Sequence, residues 1–398
     1  MCMTFEISRM MNKLKVIHIH TDYKFIGSVD VYEGEYFENS IVIIEDDELY
    51  KGPYRDKAIF FKKSNINLKK IIELCRSADL VVLHGLDLFK GKIALSLPKH
   101  INIAWRFFGY ELYKRQEELV LSEKTINARK ISYSKKPFNI LRKMFRVFQV
   151  YFQISKFGKT PSVVINKAIN RINYFLALSK EEYNHLESSF ELPPFLKLPI
   201  NRKIEVKEEF ILSCLKLKKE ENSPIIILGN SKNEFNNHID IIDLIENVKN
   251  KNAFKFILLF NYGPERRYTE QVRQKIKTKP HINTIENFLS NDEFKLLYSK
   301  TSALVINSYR QMAVGNVIEG FLNGVKIYLS QKNVMLEWLK NEGFHIFTLE
   351  DLAMDLENNN TILSKVEAAY NFKNLIDYME RNSPQNFQKL LKKRIGIS

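Results

Sequence analysis

The sequence predicts an α/β protein of two domains, each built from a parallel sheet covered by helices. Short β-branched and apolar runs alternate with helical patterns over most of the 398 residues, and such alternation is typical of parallel sheets. The predicted strands of the first half are Leu14–Ile19, Ile41–Ile44, Ala58–Phe61, Leu80–Leu83, Ile101–Trp105 and Tyr174–Leu178. Those of the second half are Pro224–Leu228, Phe254–Phe260, Ile282–Ile285, Ala303–Asn307 and Val325–Leu329.

A proline-containing stretch divides the two halves. Pro193, Pro194 and Pro199 lie between Leu192 and Asn201, and prolines favour an extended linker because they cannot continue a helix. We therefore expect a first domain over residues 1–195 and a second over residues 196–398. In open α/β sheets ligands bind at the carboxyl ends of the strands, so we expect a ligand cleft between the domains.

The positive charge of the chain is concentrated in one block. Residues 124–180 contain 13 Lys and Arg and no Asp or Glu, whereas the rest of the chain has 48 basic residues for 46 acidic ones. Within an insert of about residues 114–172, Arg142, Lys143 and Arg146 follow a helical spacing beside aromatic and aliphatic residues. This pattern predicts an amphipathic helix that meets an anionic membrane surface or, alternatively, a buried helix that extends its charges to solvent.

Several classes of protein are excluded by what the sequence lacks. Its three cysteines have no C-x-x-C spacing, which favours a reducing compartment without a disulfide framework or a thiolate metal site. No run of 18 apolar residues is present, and the N-terminus has no signal-peptide pattern, so we expect a cytoplasmic protein that touches a membrane. The metalloprotease, Walker A and nucleophile-elbow motifs are absent as well.

Two stretches of the second half have the pattern of a phosphate-binding loop. In each, a predicted strand runs into a polar loop that contains or precedes a glycine, and a helix follows. Glycine lets the backbone approach a ligand, and a helix N-terminus offers unpaired N–H groups. The predicted ligands of the first loop are Gly229, Asn230, Ser231, Asn237 and His238, and those of the second are Arg310, Gln311, Gly315 and Asn316. Arg310 has the geometry for two-pronged contacts to phosphate, and a structural turn is the alternative interpretation of the first loop.

Three residues of the first half are candidates for a general base. His18 and His84 lie at the ends of predicted strands, and Glu111 follows the strand that ends at Trp105. A carboxylate or an imidazole at the edge of a cleft can accept the proton of an attacking hydroxyl. A structural role is the alternative for each.

Five short motifs resemble those of the TDP-N-acetylfucosamine:lipid II N-acetylfucosaminyltransferases of glycosyltransferase family 56. Their order and spacing hold from about Lys15 to Leu352. The motifs are His84-Gly85, W-x-x-x-G-x-[DE]-L-Y from Trp105 to Tyr113, G-N-S…N-x-H from Gly229 to His238, R-Q-x-x-x-G from Arg310 to Gly315, and Asn323-Gly324. The chain departs from the family in its longer basic insert and in Glu111, which stands where the family has Asp. Glu319 matches no acid of the family and is not predicted to be catalytic.

The resemblance implies a GT-B architecture, in which two Rossmann-like domains face a cleft and the second binds a nucleotide sugar. It further implies a metal-independent transfer of an N-acetylfucosamine-type sugar from a dTDP-sugar to a polyprenyl-diphosphate-linked saccharide. Such reactions assemble enterobacterial common antigen, O-antigen or related polysaccharides at the cytoplasmic face of the bacterial inner membrane, where the enzyme would be peripheral.

We accordingly expect a glycosyltransferase that needs no cofactor beyond its donor and binds no nucleic acid. The alternatives are a catalytically inactive GT-B scaffold on the membrane and a nucleic-acid-binding protein that uses the basic block to contact phosphates. The base of the donor nucleotide, the sugar and the acceptor have no signature in the sequence.

Overall fold

The computed structural model describes residues 13–21, 23–45, 50, 52, 54–130 and 161–396. A seven-stranded sheet of parallel strands forms the first half, in the order β3-β2-β1-β4-β5-β6-β7. Its strands are β1 (Leu14–His20), β2 (Phe37–Ile43), β3 (Ala58–Phe60), β4 (Leu80–His84), β5 (Asn102–Arg106), β6 (Tyr174–Ala177) and β7 (Phe195–Lys197). Because both faces are covered, the central strands are almost continuously apolar.

Helices cover both faces of this sheet. They are α1 (Asn65–Cys75), α2 (Leu88–Ser96), α3 (Tyr110–Tyr113), α4 (Glu117–Val120), α5 (Glu123–Lys130), α6 (Pro161–Arg171) and α7 (Lys180–Glu187), with a 3₁₀ segment at Tyr23–Tyr32. On one face, Ile19, Leu83 and Trp105 pack with α1, α2 and α6 in the larger core. On the other, Val16 and Val82 pack with the 3₁₀ segment.

The second half contains a six-stranded parallel sheet in the order β10-β9-β8-β11-β12-β13. The strands are β8 (Ile225–Leu228), β9 (Lys255–Leu259), β10 (Ile282–Ile285), β11 (Thr301–Ile306), β12 (Lys326–Leu329) and β13 (Phe347–Thr348). The helices are α8 (Glu208–Glu220), α9 (His238–Glu246), α10 (Arg267–Ile276), α11 (Asn291–Lys300), α12 (Val314–Leu322), α13 (Val334–Asn341), α14 (Leu349–Glu357), α15 (Lys365–Arg381) and α16 (Pro384–Ile395). Two cores, one on each face, hold this sheet between its helices.

Two segments cross between the halves. Ala128 of helix α5, which belongs to the first half in sequence, lies in the core formed by α9 and α10 of the second. Helix α16 belongs to the second half in sequence but packs on the first: Phe387 and Leu391 are buried against the first sheet with Val16 and Leu80. The two sheets are therefore joined by more than the linker.

Most predicted strands are present within a few residues of their expected bounds, and the parallel α/β architecture is confirmed. The linker prediction needs a correction, because Phe195–Lys197 pairs with β6 and extends the first sheet. The two prolines that precede β7 leave the amides of residues 195–197 available for pairing. Strand β13, of two residues, has no predicted counterpart. The predicted amphipathic helix with Arg142, Lys143 and Arg146 lies outside the described residues.

Candidate active site

The carboxyl ends of the two sheets face each other and are in contact. Gly109, in the turn after β5, lies against the guanidinium group of Arg310, in the loop after β11. Beside this contact, the Ser179 hydroxyl donates to Oε1 of Gln311 over 2.8 Å. The two sheets thus meet at the edges where the cleft was predicted, and the second predicted loop lies at this contact. Gln311 uses its carbonyl oxygen to join the domains.

The loop after β8 turns sharply at Gly229. Its φ of +68° is in the left-handed region, and a Cβ there would lie 3.1 Å from Nε2 of His238, so glycine is required both for its conformation and for the close packing. Asn230 donates through Nδ2 to the hydroxyl of Tyr262 over 2.6 Å. Ser231 is almost wholly buried. The loop is a compact polar turn at the end of a buried strand.

His238 supports this loop from beneath. Its Nε2 lies 3.0 Å from the carbonyl oxygen of Ser231, and its Nδ1 lies 3.2 Å from the hydroxyl of Tyr268. A carbonyl can only accept, so Nε2 carries the hydrogen and Nδ1 accepts from the tyrosine. Burial lowers the pKa of His238 to about 3, so the ring is neutral. Because both nitrogens are engaged, we assign His238 a supporting role in place of the predicted contact with phosphate.

Asn237 joins the two domains. Its Oδ1 accepts from the backbone N–H of Ser122 over 2.8 Å, and its Nδ2 donates to the carbonyl of Asn307 over 3.0 Å. The residue has a φ of +46°, a left-handed conformation that asparagine tolerates better than most residues. These bonds use the side chain that was predicted to bind a ligand, and the structure therefore gives Asn237 a role in the domain contact.

Arg310 is the most exceptional residue of the cleft. Only 9% of its surface is exposed, and its Nε, though buried, has no hydrogen-bond partner in the part of the chain that the structure describes. The guanidinium carbon lies 4.8 Å from the ring centre of Phe235 and 5.6 Å from that of Tyr113. Burial lowers the pKa of Arg310, an effect that the charge of Glu182 opposes. A buried guanidinium with an unused donor is suited to an anionic ligand.

Helix α12 begins next to Arg310. Ala313 precedes it with a φ of +64° and gives no side-chain cap, so N–H groups of the first turn are available to a ligand. A Cβ at Gly315 would meet nothing within 4 Å, which means that the space outside this turn is open. Asn316 is directed elsewhere, because its Nδ2 donates to the hydroxyl of Tyr298 over 2.8 Å.

Glu111 holds two turns of the first domain together. Its Oε1 accepts from the backbone N–H of Leu86 at 3.2 Å, and from Nε1 of Trp105 and the N–H of Phe108 at 3.3 Å each. Burial raises the pKa of Glu111, and these hydrogen bonds oppose the rise. Oε2 accepts a second, 3.3 Å bond from the Phe108 N–H. The Glu111 carboxylate therefore serves mainly to accept hydrogen bonds that hold the two turns together.

His18 and His84 form a hydrogen-bonded chain beneath the cleft. The Ser28 hydroxyl lies 2.8 Å from Nδ1 of His84, His84 Nε2 lies 3.1 Å from Nδ1 of His18, and His18 Nε2 lies 3.0 Å from Oδ1 of Asn39. Since Nδ2 of Asn39 donates to the carbonyl of Tyr32, its Oδ1 must accept, and both rings are neutral. Burial lowers the pKa of His18 to about 4 and that of His84 well below its ordinary value. Neither ring keeps a nitrogen for a substrate proton, so the structure replaces the predicted general-base role with a structural one.

Four residues near the contact between the domains were not among the predicted site residues: His20, Arg106, Tyr113 and Glu182. Glu182, on α7, is 3% exposed, and burial raises its pKa to about 8. The hydroxyl of Tyr113 donates to its Oε1 over 3.2 Å. Glu182 also follows Ser179 at the spacing of a helix cap, which hid it as an ordinary capping residue. His20 and Arg106 could be found only from the register of the strands.

Comparisons with known proteins give similarity in structure but not in sequence. No protein-family model matches the chain, and no curated protein matches it. Among solved structures, Anabaena HepE in complex with UDP and glucose aligns with a TM-score of 0.61 at 11% identity, over 96% of this chain and 98% of that one. A glycosyltransferase from Rickettsia africae aligns with a TM-score of 0.60 at 12% identity, over 97% and 100%.

The apo lipopolysaccharide outer core galactosyltransferase WaaB aligns over 96% of this chain and 99% of that one, with a TM-score of 0.55 at 10% identity. These structures share two facing parallel-sheet domains with the present chain. The fold is GT-B. Within the described part of the chain, no helix is long and apolar enough to cross a membrane. The same residues contain no cluster of His, Cys, Asp or Glu able to hold a metal ion.

Proposed function

We propose that this protein is a glycosyltransferase that binds the diphosphate of a nucleotide sugar in its second domain. The observation that carries the proposal is the unused Nε of buried Arg310, next to the uncapped start of α12. A guanidinium and helix N–H groups are the donors that a diphosphate requires. The GT-B fold supports the proposal, since HepE, a neighbour in structure, was solved with UDP and with UDP-glucose.

The proposed chemistry is stabilisation of the leaving diphosphate. Arg310 and the first turn of α12 would hold the charge that develops as the glycosidic bond breaks. Asn230 and Ser231, in the turn after β8, lie on the same edge of the sheet and would give further hydrogen bonds. With these donors the transfer would proceed without a metal ion. Among the predicted bases, only Glu111 keeps an oxygen with spare acceptor capacity, Oε2.

The donor and acceptor are proposed from the family resemblance. We infer a dTDP-sugar of the N-acetylfucosamine type as donor and a polyprenyl-diphosphate-linked saccharide as acceptor, at the inner face of the bacterial cytoplasmic membrane. The basic block with Arg142, Lys143 and Arg146 would bind anionic lipid there. Flotation with vesicles of phosphatidylglycerol tests this surface, and neutral phosphatidylcholine vesicles are the control.

The donor site is tested by calorimetry with dTDP, UDP and GDP in the presence of EDTA. We expect one nucleotide to bind the wild-type protein, and Arg310→Gln to weaken this binding about tenfold or more, because a charged hydrogen bond contributes roughly 1.5–3 kcal/mol. Arg381→Gln is the matched control, since Arg381 is exposed and lies on α15. Equal binding by wild type and Arg310→Gln would remove Arg310 from the site.

A second candidate is a GT-B scaffold without activity. The observation that favours it is the engagement of both histidines and most of the Glu111 carboxylate in internal hydrogen bonds. The two functions are separated by hydrolysis of the bound nucleotide sugar in the absence of acceptor. Slow release of free sugar, lost in Arg310→Gln, would indicate an enzyme, and nucleotide binding without any turnover would indicate the scaffold.

A further inference from the structure

Three adjacent strands of the first sheet end side by side in a row of basic side chains. In the parallel register, His20 of β1 lies next to His84 of β4, and His84 lies next to Arg106 of β5. Residues paired in this way project from the same face of a sheet. The His20 and His84 rings stack with their centres 3.8 Å apart. The row lies at the carboxyl edge, three residues before Gly109 and its contact with Arg310.

Arg106 has a charge without a counter-charge in the described part of the chain. Its half-buried guanidinium group makes no hydrogen bond or ion pair there, and its contact is the ring of Phe108, 5.4 Å away. Burial lowers its pKa to about 10, so it stays charged at neutral pH. An arginine that is partly removed from water is ordinarily paired, and the missing partner indicates an anion from outside the chain.

His20 gives an independent indication at the same place. It is fully buried, and neither of its ring nitrogens has a hydrogen-bond partner among the described residues. Burial lowers the pKa of His20 well below its ordinary value, and the neighbouring basic groups of His18, Lys90 and Arg106 lower it further. Lys90 itself is buried and donates to the hydroxyl of Thr21 over 2.8 Å. A buried polar group without a partner is costly, and a ligand that accepts hydrogen bonds would remove the cost.

We propose that Arg106 and His20 form a binding site for an oxyanion of the acceptor, a phosphate or a carboxylate group. The inference rests on the proposed function in that it places the acceptor in the first domain, opposite the donor. Arg106 would make a two-pronged contact, and His20 would donate its ring N–H. The anion has two possible sources: the diphosphate of a lipid-linked acceptor or the carboxylate of an acidic sugar.

The experiment measures binding of inorganic pyrophosphate by calorimetry in an Arg310→Gln background, which removes the proposed donor contact. We expect pyrophosphate to bind this variant, and the added change Arg106→Gln to weaken binding about tenfold or more. The added change Arg76→Gln is the matched control, because it removes one exposed positive charge from the first domain. Thermal unfolding of each variant establishes that it is folded. His20→Asn, which keeps a side-chain donor, should weaken pyrophosphate binding by less than Arg106→Gln does.

Two ligands then distinguish the sources of the anion. Farnesyl diphosphate represents the lipid, and glucuronate represents the acidic sugar. If the affinity for one of these ligands falls in Arg106→Gln, the site is supported, and that ligand identifies the source of the anion. The inference is overturned if the Arg310→Gln variant does not bind pyrophosphate, or if the added change Arg106→Gln leaves this binding unchanged. Nucleotide binding by the wild type would in that case still support the proposed function. Binding of pyrophosphate that depends on Arg106, without nucleotide binding, would leave the anion site in place and contradict the donor site.

Discussion

The guanidinium group of Arg310 occupies the space that the missing side chain of Gly109 leaves open. Nη1 of Arg310 would overlap a Cβ at position 109, and the φ of Gly109 is +96°. One residue belongs to the turn after β5 and the other to the loop after β11. This contact between the two domains therefore depends on a glycine in the first domain as well as on an arginine in the second.

Gly109→Ala should prevent this arrangement. We expect activity or nucleotide affinity to fall about tenfold or more, since the added methyl group displaces Arg310 and a non-glycine residue at this φ is strained by about 1–2 kcal/mol. Gly343→Ala separates the two effects, because Gly343 has a φ of +86° but its nearest neighbour would be 3.6 Å from a Cβ. Equal losses of activity in the two variants would show that strain alone is responsible.

Glu182 should make the protein less stable as the pH rises. Its pKa of about 8 in the folded state exceeds the ordinary value of about 4.3. Between these values the unfolded chain has lost a proton that the folded protein retains, so the free energy of unfolding falls by up to about 1.4 kcal/mol per pH unit. Glu182→Gln should remove this fall, as measured by urea unfolding at pH 5.5, 6.5 and 7.5. Glu73→Gln, on the exposed side of α1, is the control, and the same pH dependence in wild type and Glu182→Gln would contradict the assignment.

Buried neutral histidines should make the protein less stable as the pH falls below about 6.5. The pKa values of His18 and His238 fall to about 4 and about 3, below the ordinary value of about 6.5. As the pH decreases through 6.5 the unfolded chain takes up protons that these rings do not, and each ring costs up to about 1.4 kcal/mol per pH unit. His238→Gln should make the free energy of unfolding vary less with pH between pH 4.5 and 6. The expected reduction corresponds to the uptake of one proton, or up to about 1.4 kcal/mol per pH unit. If the free energy of unfolding varies with pH in the same way in the wild type and the variant, His238 is charged in the folded protein and the prediction is wrong.

Asn237 should contribute both through its side chain and through its backbone conformation. Asn237→Gly removes the bonds to Ser122 and Asn307 and should lower the free energy of unfolding by about 1–3 kcal/mol. Asn237→Ala should cost about 1 kcal/mol more, because alanine is strained at a positive φ. Chemical denaturation of the three proteins measures both effects. A glycine variant less stable than the alanine variant would contradict the conformational argument.

Much of the fold could be predicted from the sequence because parallel strands buried on both faces are continuous apolar runs. Strand Ile225–Leu228, an unbroken and wholly buried apolar run, was therefore found to within one residue of its bounds. The short strands β7 and β13 were not, because two or three residues beside prolines or in a polar stretch carry no periodicity.

The candidate site was predicted less completely, since a motif gives the type of a residue but not its partners. His18, His84 and His238 are of a residue type that often binds ligands or transfers protons. Their ring nitrogens are nevertheless engaged within the protein, with one another or with Asn39, Ser28, Ser231 and Tyr268. Arg310 lies at the contact between the two sheets, and its role as a ligand of phosphate stays a prediction. The row of His20, His84 and Arg106 depends on strand register, which a single sequence does not reveal.

Helix α16 has a consequence for how the protein is made. Gln388 donates to the carbonyl oxygens of Val31 and Glu33 over 2.9 Å each, and Phe387 lies edge-on against Tyr32. Because these partners are more than 350 positions apart, this apolar part of the first sheet stays uncovered on the ribosome until helix α16 has emerged. The domain that is synthesised first is therefore the last to be completed, and a nascent chain halted before Ser383 would expose that face to chaperones and to aggregation.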